Sequence, residues 1–417
     1  MIRKLFLFSL LLAAPCVAAA FAEYFTLAPK ISLGGAYAGA GPREPGRNGI
    51  YKSAMAMLEL PLNIKFNDNI YADINYFVRA DYNTKMNDDK TVYTYNFQKA
   101  NINYEKDSLL LKIGRLDYQT ENKNFVIYYG PYPGYDNLLP TALDGARHTA
   151  EFGIISWDLL AAREVKKLSF YDDSSLVYGG ALKAGKGKTF SAEVFYYARG
   201  SETDKYKTDA AVYGAGAALK ARDLVDISLY AAMNDGTFTY KNFIDIERPL
   251  KGYAFNAALG MPTENKFGSA YYRFNVYYGS GAKNNSMPFT PINQNTDRGY
   301  VFGGSNLLAG NISGANTMWA DTMIMSFTFN LRLKALKAVT LRGGLYNFIS
   351  NDDALADKDI GNEANFGISY KKDPFEIMLD YGFFTPGNAA WETMGIPKQN
   401  DGAVNKIGLR VSYDFAL

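Results

Sequence analysis

Residues 69–82 read Asn-Ile-Tyr-Ala-Asp-Ile-Asn-Tyr-Phe-Val-Arg-Ala-Asp-Tyr, and this stretch decides the fold. Ile70, Ala72, Ile74, Tyr76, Val78, Ala80 and Tyr82 alternate with the polar set Asp73, Asn75, Arg79 and Asp81. A period of two puts the first set on one face of a β-strand and the second on the other. The run is far longer than the strand of about 5 to 6 residues usual in soluble domains. It suits a tilted strand crossing a bilayer, which needs about 9 to 11 residues.

The pattern returns along the chain. Phe190, Ala192, Val194, Tyr196 and Ala198 alternate with Ser191, Glu193 and Arg199, and Val225, Ile227, Leu229, Ala231 and Met233 with Asp226, Ser228 and Asn234. Ala270, Tyr272, Phe274, Val276 and Tyr278 alternate with Arg273 and Asn275. Marking every such run predicts strands at 29–38, 53–66, 69–82, 92–105, 108–118, 142–152, 155–164, 175–185 and 188–199. The series continues at 208–221, 224–235, 251–260, 267–279, 317–332, 336–348, 362–372, 375–385 and 403–417. That is about eighteen strands, an even number.

The connections alternate as well. Short turns are predicted at 67–68, 106–107, 153–154, 186–187, 222–223, 261–266, 333–335 and 373–374, and longer polar loops at 39–52, 119–141, 236–250, 280–316 and 386–402. Short periplasmic turns and long extracellular loops are the rhythm of bacterial outer-membrane barrels. In a bilayer an open sheet edge would leave backbone groups without partners, so the sheet must close. The expectation is an all-β, antiparallel, up-and-down transmembrane barrel in the bacterial outer membrane, in contact with its lipid and lipopolysaccharide, with both termini on the periplasmic side. A soluble periplasmic sandwich or propeller also alternates, but needs neither strands this long nor long loops gathered at one end.

The N-terminus reads as a secretory signal over residues 1–22. Arg3 and Lys4 precede the apolar stretch from Leu5 to Ala14, and Ala20-Phe21-Ala22 gives a small-x-small cleavage pattern. Residues 23–417 then form a single barrel domain. Cys16, the only cysteine, falls inside the leader, so the mature chain has no disulfide framework and no thiolate metal site. Composition agrees with alternating strands: 32 Tyr and 27 Phe against 3 Trp, 38 Gly, and 48% apolar residues with a negative mean hydropathy. With 44 basic and 42 acidic side chains there is no charge excess of the kind nucleic-acid binding needs.

About eighteen strands enclose a lumen wide enough for an aqueous channel. Parity turns charges of both signs into it: Arg79, Lys112, Arg147, Arg199, Arg273, Arg342 and Arg410 alongside Asp158, Glu193, Glu376 and Asp380. Such residues tune pore selectivity, or satisfy one another in a wet interior.

Leu111-Lys112-Ile113-Gly114-Arg115-Leu116-Asp117, followed by Leu143-Asp144-Gly145-Ala146-Arg147 and Trp157-Asp158-Leu159-Leu160-Ala161-Ala162, resembles paired segments of the alginate-export family of outer-membrane porins. The resemblance implies an eighteen-strand barrel with an arginine-rich lumen passing an anionic polysaccharide, and it puts Arg115, Asp144 and Arg147 in the outer half of that lumen. Leu143 stands where the family has an aromatic residue, and with Lys183, Lys220 and Arg332 also inward by parity, and Asp73, Glu105, Glu151 and Asp226 likewise, the acidic inward positions nearly match the basic ones. Strict alternation places Arg115 on the lipid side with Leu109, Leu111 and Ile113, at about 2 to 4 kcal/mol if at midplane and about 0 to 1 near an interface. A bulge at Gly114 is the expected remedy.

Other chemistry has little support. His148, the sole histidine, falls on the outward face with Ala150 and Phe152, so neither a catalytic dyad nor a histidine metal cluster is expected. Asp352, Asp353, Asp357 and Asp359 read as a solvated loop tip, with an oxygen-ligand cation site the sharper alternative. Tyr128, Tyr129, Tyr132 and Tyr135 read as interfacial girdle and loop packing, with carbohydrate stacking the alternative. The sequence predicts a channel without cofactor, metal or catalysis, passing small polar solutes or an anionic polysaccharide. A non-conducting surface or adhesion barrel is the alternative, and oligomeric state and the course of loop 280–316 stay open.

Overall fold

Long strands that are apolar on one face and polar on the other have to pair edge to edge until the sheet meets itself, and the chain does this. In a computed structural model, residues 24–39, 51–83, 91–120, 127–129, 142–165, 175–185, 189–202, 206–221, 224–241, 245–281, 289, 322–351, 355–390 and 403–415 are described. The predicted leader lies outside these residues. The barrel strands are β1 (Lys30–Gly39), β2 (Tyr51–Lys65), β3 (Ile70–Asn83), β4 (Thr91–Lys106), β5 (Leu109–Leu116) and β6 (Leu143–Phe152). Next come β7 (Ile155–Glu164), β8 (Leu176–Ala184), β9 (Phe190–Glu202), β10 (Tyr206–Ala221), β11 (Val225–Tyr240) and β12 (Ile246–Glu264). The last six are β13 (Gly268–Gly279), β14 (Thr322–Leu333), β15 (Val339–Ser350), β16 (Asp359–Lys372), β17 (Phe375–Pro386) and β18 (Val404–Asp414).

Each strand pairs antiparallel with the next, and β1 pairs with β18 from Lys30↔Asp414 to Gly39↔Asn405, so an eighteen-strand barrel closes. The Lys30 ammonium lies 3.3 Å from the Asp414 carboxylate at the seam. Before it, Phe25–Leu27 extends the first strand against Ile64 to Leu62. Closure leaves no free sheet edge to satisfy in lipid.

Alternation sorts the two faces. Ile102, Ile113, Leu159, Leu182, Val194, Leu229, Phe274, Leu345, Phe366 and Leu409 are exposed on the outer wall. A wall of this kind is stable only against an apolar surrounding. Tight links at 66–69, 107–108, 153–154, 265–267 and 373–374 gather at one end of the barrel. Two of them close through backbone bonds, Phe66 N–H to Ile70 O at 2.9 Å and Asn265 N–H to Gly268 O at 3.0 Å.

The structure corrects two boundaries. The stretch 236–250, expected as a loop, is mostly strand: Asp235↔Lys251, Thr237↔Pro249, Phe238↔Arg248 and Tyr240↔Ile246 continue the β11–β12 ladder. The turn expected at 261–266 starts later, because Met261 to Glu264 pair with Tyr272 to Ser269. In both places the ladder runs beyond the apolar band. Where both faces meet water, alternation loses the contrast that reveals it.

Candidate functional site

The interior carries the charges that parity assigned to it, and cross-strand geometry pairs many of them. Arg147 on β6 grips Asp158 on β7 through Nε to Oδ1 at 3.0 Å and Nη2 to Oδ2 at 2.8 Å. Its guanidinium carbon also lies 5.1 Å from the Tyr118 ring centroid. Arg342 on β15 donates from Nη2 to both oxygens of Asp380 on β17, at 2.8 and 3.0 Å. Lys183 sits 3.9 Å from Glu193, and Arg410 lies 3.8 Å from Glu376. Arg199 reaches Glu164 at 2.9 Å and Ser175 Oγ at 3.2 Å. Arg79 is buried on the inner wall beside Phe77.

Two cations face the lumen differently. Lys112 stands between Asn103 and Arg147, and Arg273 between Gly260 and Thr328. Neither makes an ion pair among the described residues. Arg273 is exposed to the lumen.

Arg115 and Asp144 are not on the inner wall. The β4–β5 and β5–β6 ladders run through Gly114 without a register shift, so Arg115 stays on the face of Leu109 and Ile113, opposite Asp144. Their neighbours Leu116 and Leu143, at 1% and 0% exposure, point inward. Gly114 does hold a positive φ of 122°, but the register break lies in β4, where Asn75↔Lys99 gives way to Tyr76↔Phe97 and leaves Gln98 as the extra residue. Arg115 pairs with Asp144 at 2.8 and 2.9 Å. It also donates to Asn96 Oδ1 at 2.8 Å and to Phe97 O at 3.2 Å. An outward arginine is therefore satisfied by a carboxylate and by acceptors at the bulge rather than by rotation into the lumen.

Loop segments entering the barrel are the feature that strand parity did not announce. After β5 the chain keeps inward parity through Leu116 and Tyr118, and Tyr118–Gln119 pairs with Tyr128–Tyr129 as a small hairpin. Tyr118 and Tyr129 are each 2% exposed. The Tyr118 hydroxyl lies 2.7 Å from that of Tyr197 on β9, and the Tyr129 hydroxyl donates to Glu164 on β7. Tyr129 thus belongs to the interior and not to an interfacial girdle, while Tyr132 and Tyr135 lie outside the described residues. Of loop 280–316, Phe289 is fully buried, and its N–H donates to Ser280 O at 3.2 Å. Ala389 and Ala390, following β17, are also fully buried.

These segments join inward residues of the wall in one apolar cluster. Tyr118, Ile127, Tyr129, Phe289, Ala389 and Ala390 pack with Leu160, Val177, Tyr197, Val212, Tyr277, Phe348 and Phe384. Charged and apolar inward groups meet here, since Arg147 lies over the Tyr118 ring and Glu164 is shared by Tyr129 and Arg199.

His148 is on the outer wall, where its Nδ1 accepts from the Trp157 indole N–H at 3.1 Å. Of the acidic stretch near residue 355, Asp357 accepts from Asn388 Nδ2 at 2.6 Å and from the Asp359 N–H at 3.0 Å. Asp352 and Asp353 lie outside the described residues.

No known protein family and no curated protein matches the sequence. Solved structures do match the fold along nearly its whole length, and what the chain shares with them is a closed antiparallel barrel of eighteen strands. The chain is similar to Pseudomonas aeruginosa OccK8 (OprE), with a TM-score of 0.60 at 10% identity over 95% of this chain and 99% of that one. It is similar to Pseudomonas aeruginosa OpdQ, at 0.60 and 12% over 94% and 97%, and to Acinetobacter baumannii OccAB3, at 0.57 and 12% over 93% and 99%. At these identities the likeness is one of fold.

Proposed function

We propose that the chain is a bacterial outer-membrane channel that passes small polar solutes through a charged lumen narrowed by inward loop segments, without chemical catalysis. The observation that carries the reading is the make-up of the interior: opposed charges line the barrel, and Tyr118, Tyr129 and Phe289 from the connecting segments are buried among inward wall residues. A surface protein needs only a barrel to hold its loops, whereas lumen charges and inward segments that narrow the passage are the parts from which a selective pore is made. The short-turn end is then periplasmic and the other extracellular.

The finer reading, an alginate-export porin, draws its support from the segments at 111–117 and 143–147. A polyanion path calls for cations free to meet it. Arg147, Arg199, Arg342 and Arg410 each face a carboxylate, and Arg115 lies outside the lumen, so small solutes are placed first.

The test is planar-bilayer recording of the refolded barrel with a salt gradient. Discrete conductance steps, with Arg273→Gln moving the reversal potential toward cation preference, support the proposal. A folded, inserted barrel that never conducts overturns it and puts the surface-protein reading first.

A further inference from the structure

On the inner wall, Gly344 of β15 sits among hydrogen-bonding side chains. Its neighbours on the lumen face are Arg342 and Tyr346 along its own strand, Thr328 across on β14 and Asn365 across on β16. Because the centre carries no side chain, the Tyr346 ring folds over it: a Cβ at 344 would fall 2.6 Å from Tyr346 Cε2 and 3.1 Å from its hydroxyl oxygen. Asn365 has glycine on three sides, Gly344 and Gly382 in the adjoining strands and Gly367 along its own. The wall is therefore shallow here, with a partly exposed aromatic ring at its edge.

Two buried polar atoms of this patch, Arg342 Nε and Asn365 Oδ1, have no hydrogen-bond partner. Arg342 commits Nη2 to Asp380, so its charge is balanced while its Nε–H is left without an acceptor. A buried donor or acceptor left unpaired is costly, and such groups are rare in folded proteins. One donor beside one acceptor calls for a group that both accepts and donates, as a hydroxyl does. Thr328, and Asn330 in register with Arg342, add side chains that make no hydrogen bond among the described residues. Asn330 is exposed to the lumen.

We infer that this patch is a lumen subsite for a neutral sugar ring. One hydroxyl of a pyranose accepts from Arg342 Nε and donates to Asn365 Oδ1, further hydroxyls meet Thr328 and Asn330, and the apolar C–H face of the ring lies against Tyr346. Asp380 already balances Arg342, so the subsite calls for no anion. Amide, hydroxyl and guanidinium groups beside an aromatic ring are the few placed polar contacts and the apolar surface that an uncharged polyol ring needs. Arg273 stands one strand beyond Thr328, and a sugar acid is therefore the competing probe. The inference rests on the channel reading and names a solute class for one part of the lumen.

The experiment is planar-bilayer recording of the full barrel titrated with glucose, each variant's current being normalised to its own sugar-free value. Glucose should reduce the wild-type current saturably. Asn365→Leu and Tyr346→Ala should each raise the half-blocking concentration about five-fold, the effect of losing one hydrogen bond or one ring contact. Tyr346→Phe, which keeps the ring, should hold it near the wild-type value. Sorbitol, which has the hydroxyls and no ring, should block less. Equal block by sorbitol and glucose, or glucose block unchanged in both Asn365→Leu and Tyr346→Ala, overturns the subsite. So does block by glucuronate alone that is lost in Arg273→Gln. A conducting barrel that glucose leaves untouched overturns only the subsite, whereas an inserted barrel that never conducts overturns the channel reading with it.

Discussion

The Arg342 guanidinium and the Asp380 carboxylate meet at 2.8 and 3.0 Å across an intervening strand, directly over Gly367. Position 367 stands between them in register, and a Cβ there would fall 2.0 Å from Asp380 Oδ1 and 3.2 Å from Arg342 Nε. The lumen charge pair exists because the middle residue has no side chain.

Gly367→Ala should therefore separate the pair while keeping the strand. The loss is about 1.5 to 3 kcal/mol, the range for hydrogen bonds to charged groups, and urea unfolding of the lipid-reconstituted barrel measures it. Unchanged stability together with unchanged ion selectivity would show that the pair contributes nothing.

Arg147 and Asp158 offer a test of sign. Asp158→Asn leaves Arg147 uncompensated and should move the reversal potential toward anion preference, whereas Arg147→Gln should move it toward cations. Shifts in the same direction would rule out a direct electrostatic role in permeation.

The inward hairpin is held by the hydroxyl contact between Tyr118 and Tyr197 and by the Tyr129–Glu164 bond. Tyr197→Phe removes one of these and keeps the ring. A bond worth about 1 kcal/mol implies roughly a five-fold rise in the population of the released hairpin. Single-channel records should then show wider or more frequent open substates. Identical records in both proteins would exclude the hairpin as the constriction.

Gly252 admits a second loop. A Cβ at this position would stand 2.2 Å from the Phe289 backbone nitrogen and 2.4 Å from its Cα. Gly252→Ala should displace Phe289 and raise conductance with little change in reversal potential, since no charge moves. A change in selectivity at constant conductance would contradict this account.

Much of the architecture was legible because one physical contrast repeats along it. Each strand separates an apolar wall from a wet interior, so Ile70 to Tyr82 or Val225 to Met233 show their faces directly. Arg147, Arg342 and Asp380 could be assigned inward by counting alone. Counting failed where the contrast fades or backbone geometry intervenes. The ladder from Asp235 to Tyr240 continues in water on both sides, and Arg115 obeys alternation only because acceptors beside the β4 bulge and Asp144 satisfy it in place.

The sequence by itself determined an antiparallel barrel of eighteen strands, the order of its turns and the sign of charge at most inward positions. These follow from side-chain polarity at a fixed period of two, a local property. Only the tertiary structure decided which charges become pairs, that Arg115 and Asp144 stand outside, and that Tyr118, Tyr129 and Phe289 fill part of the lumen. Those outcomes depend on register between strands and on loops returning through the barrel, where the contacting residues lie far apart along the chain and no periodicity links them.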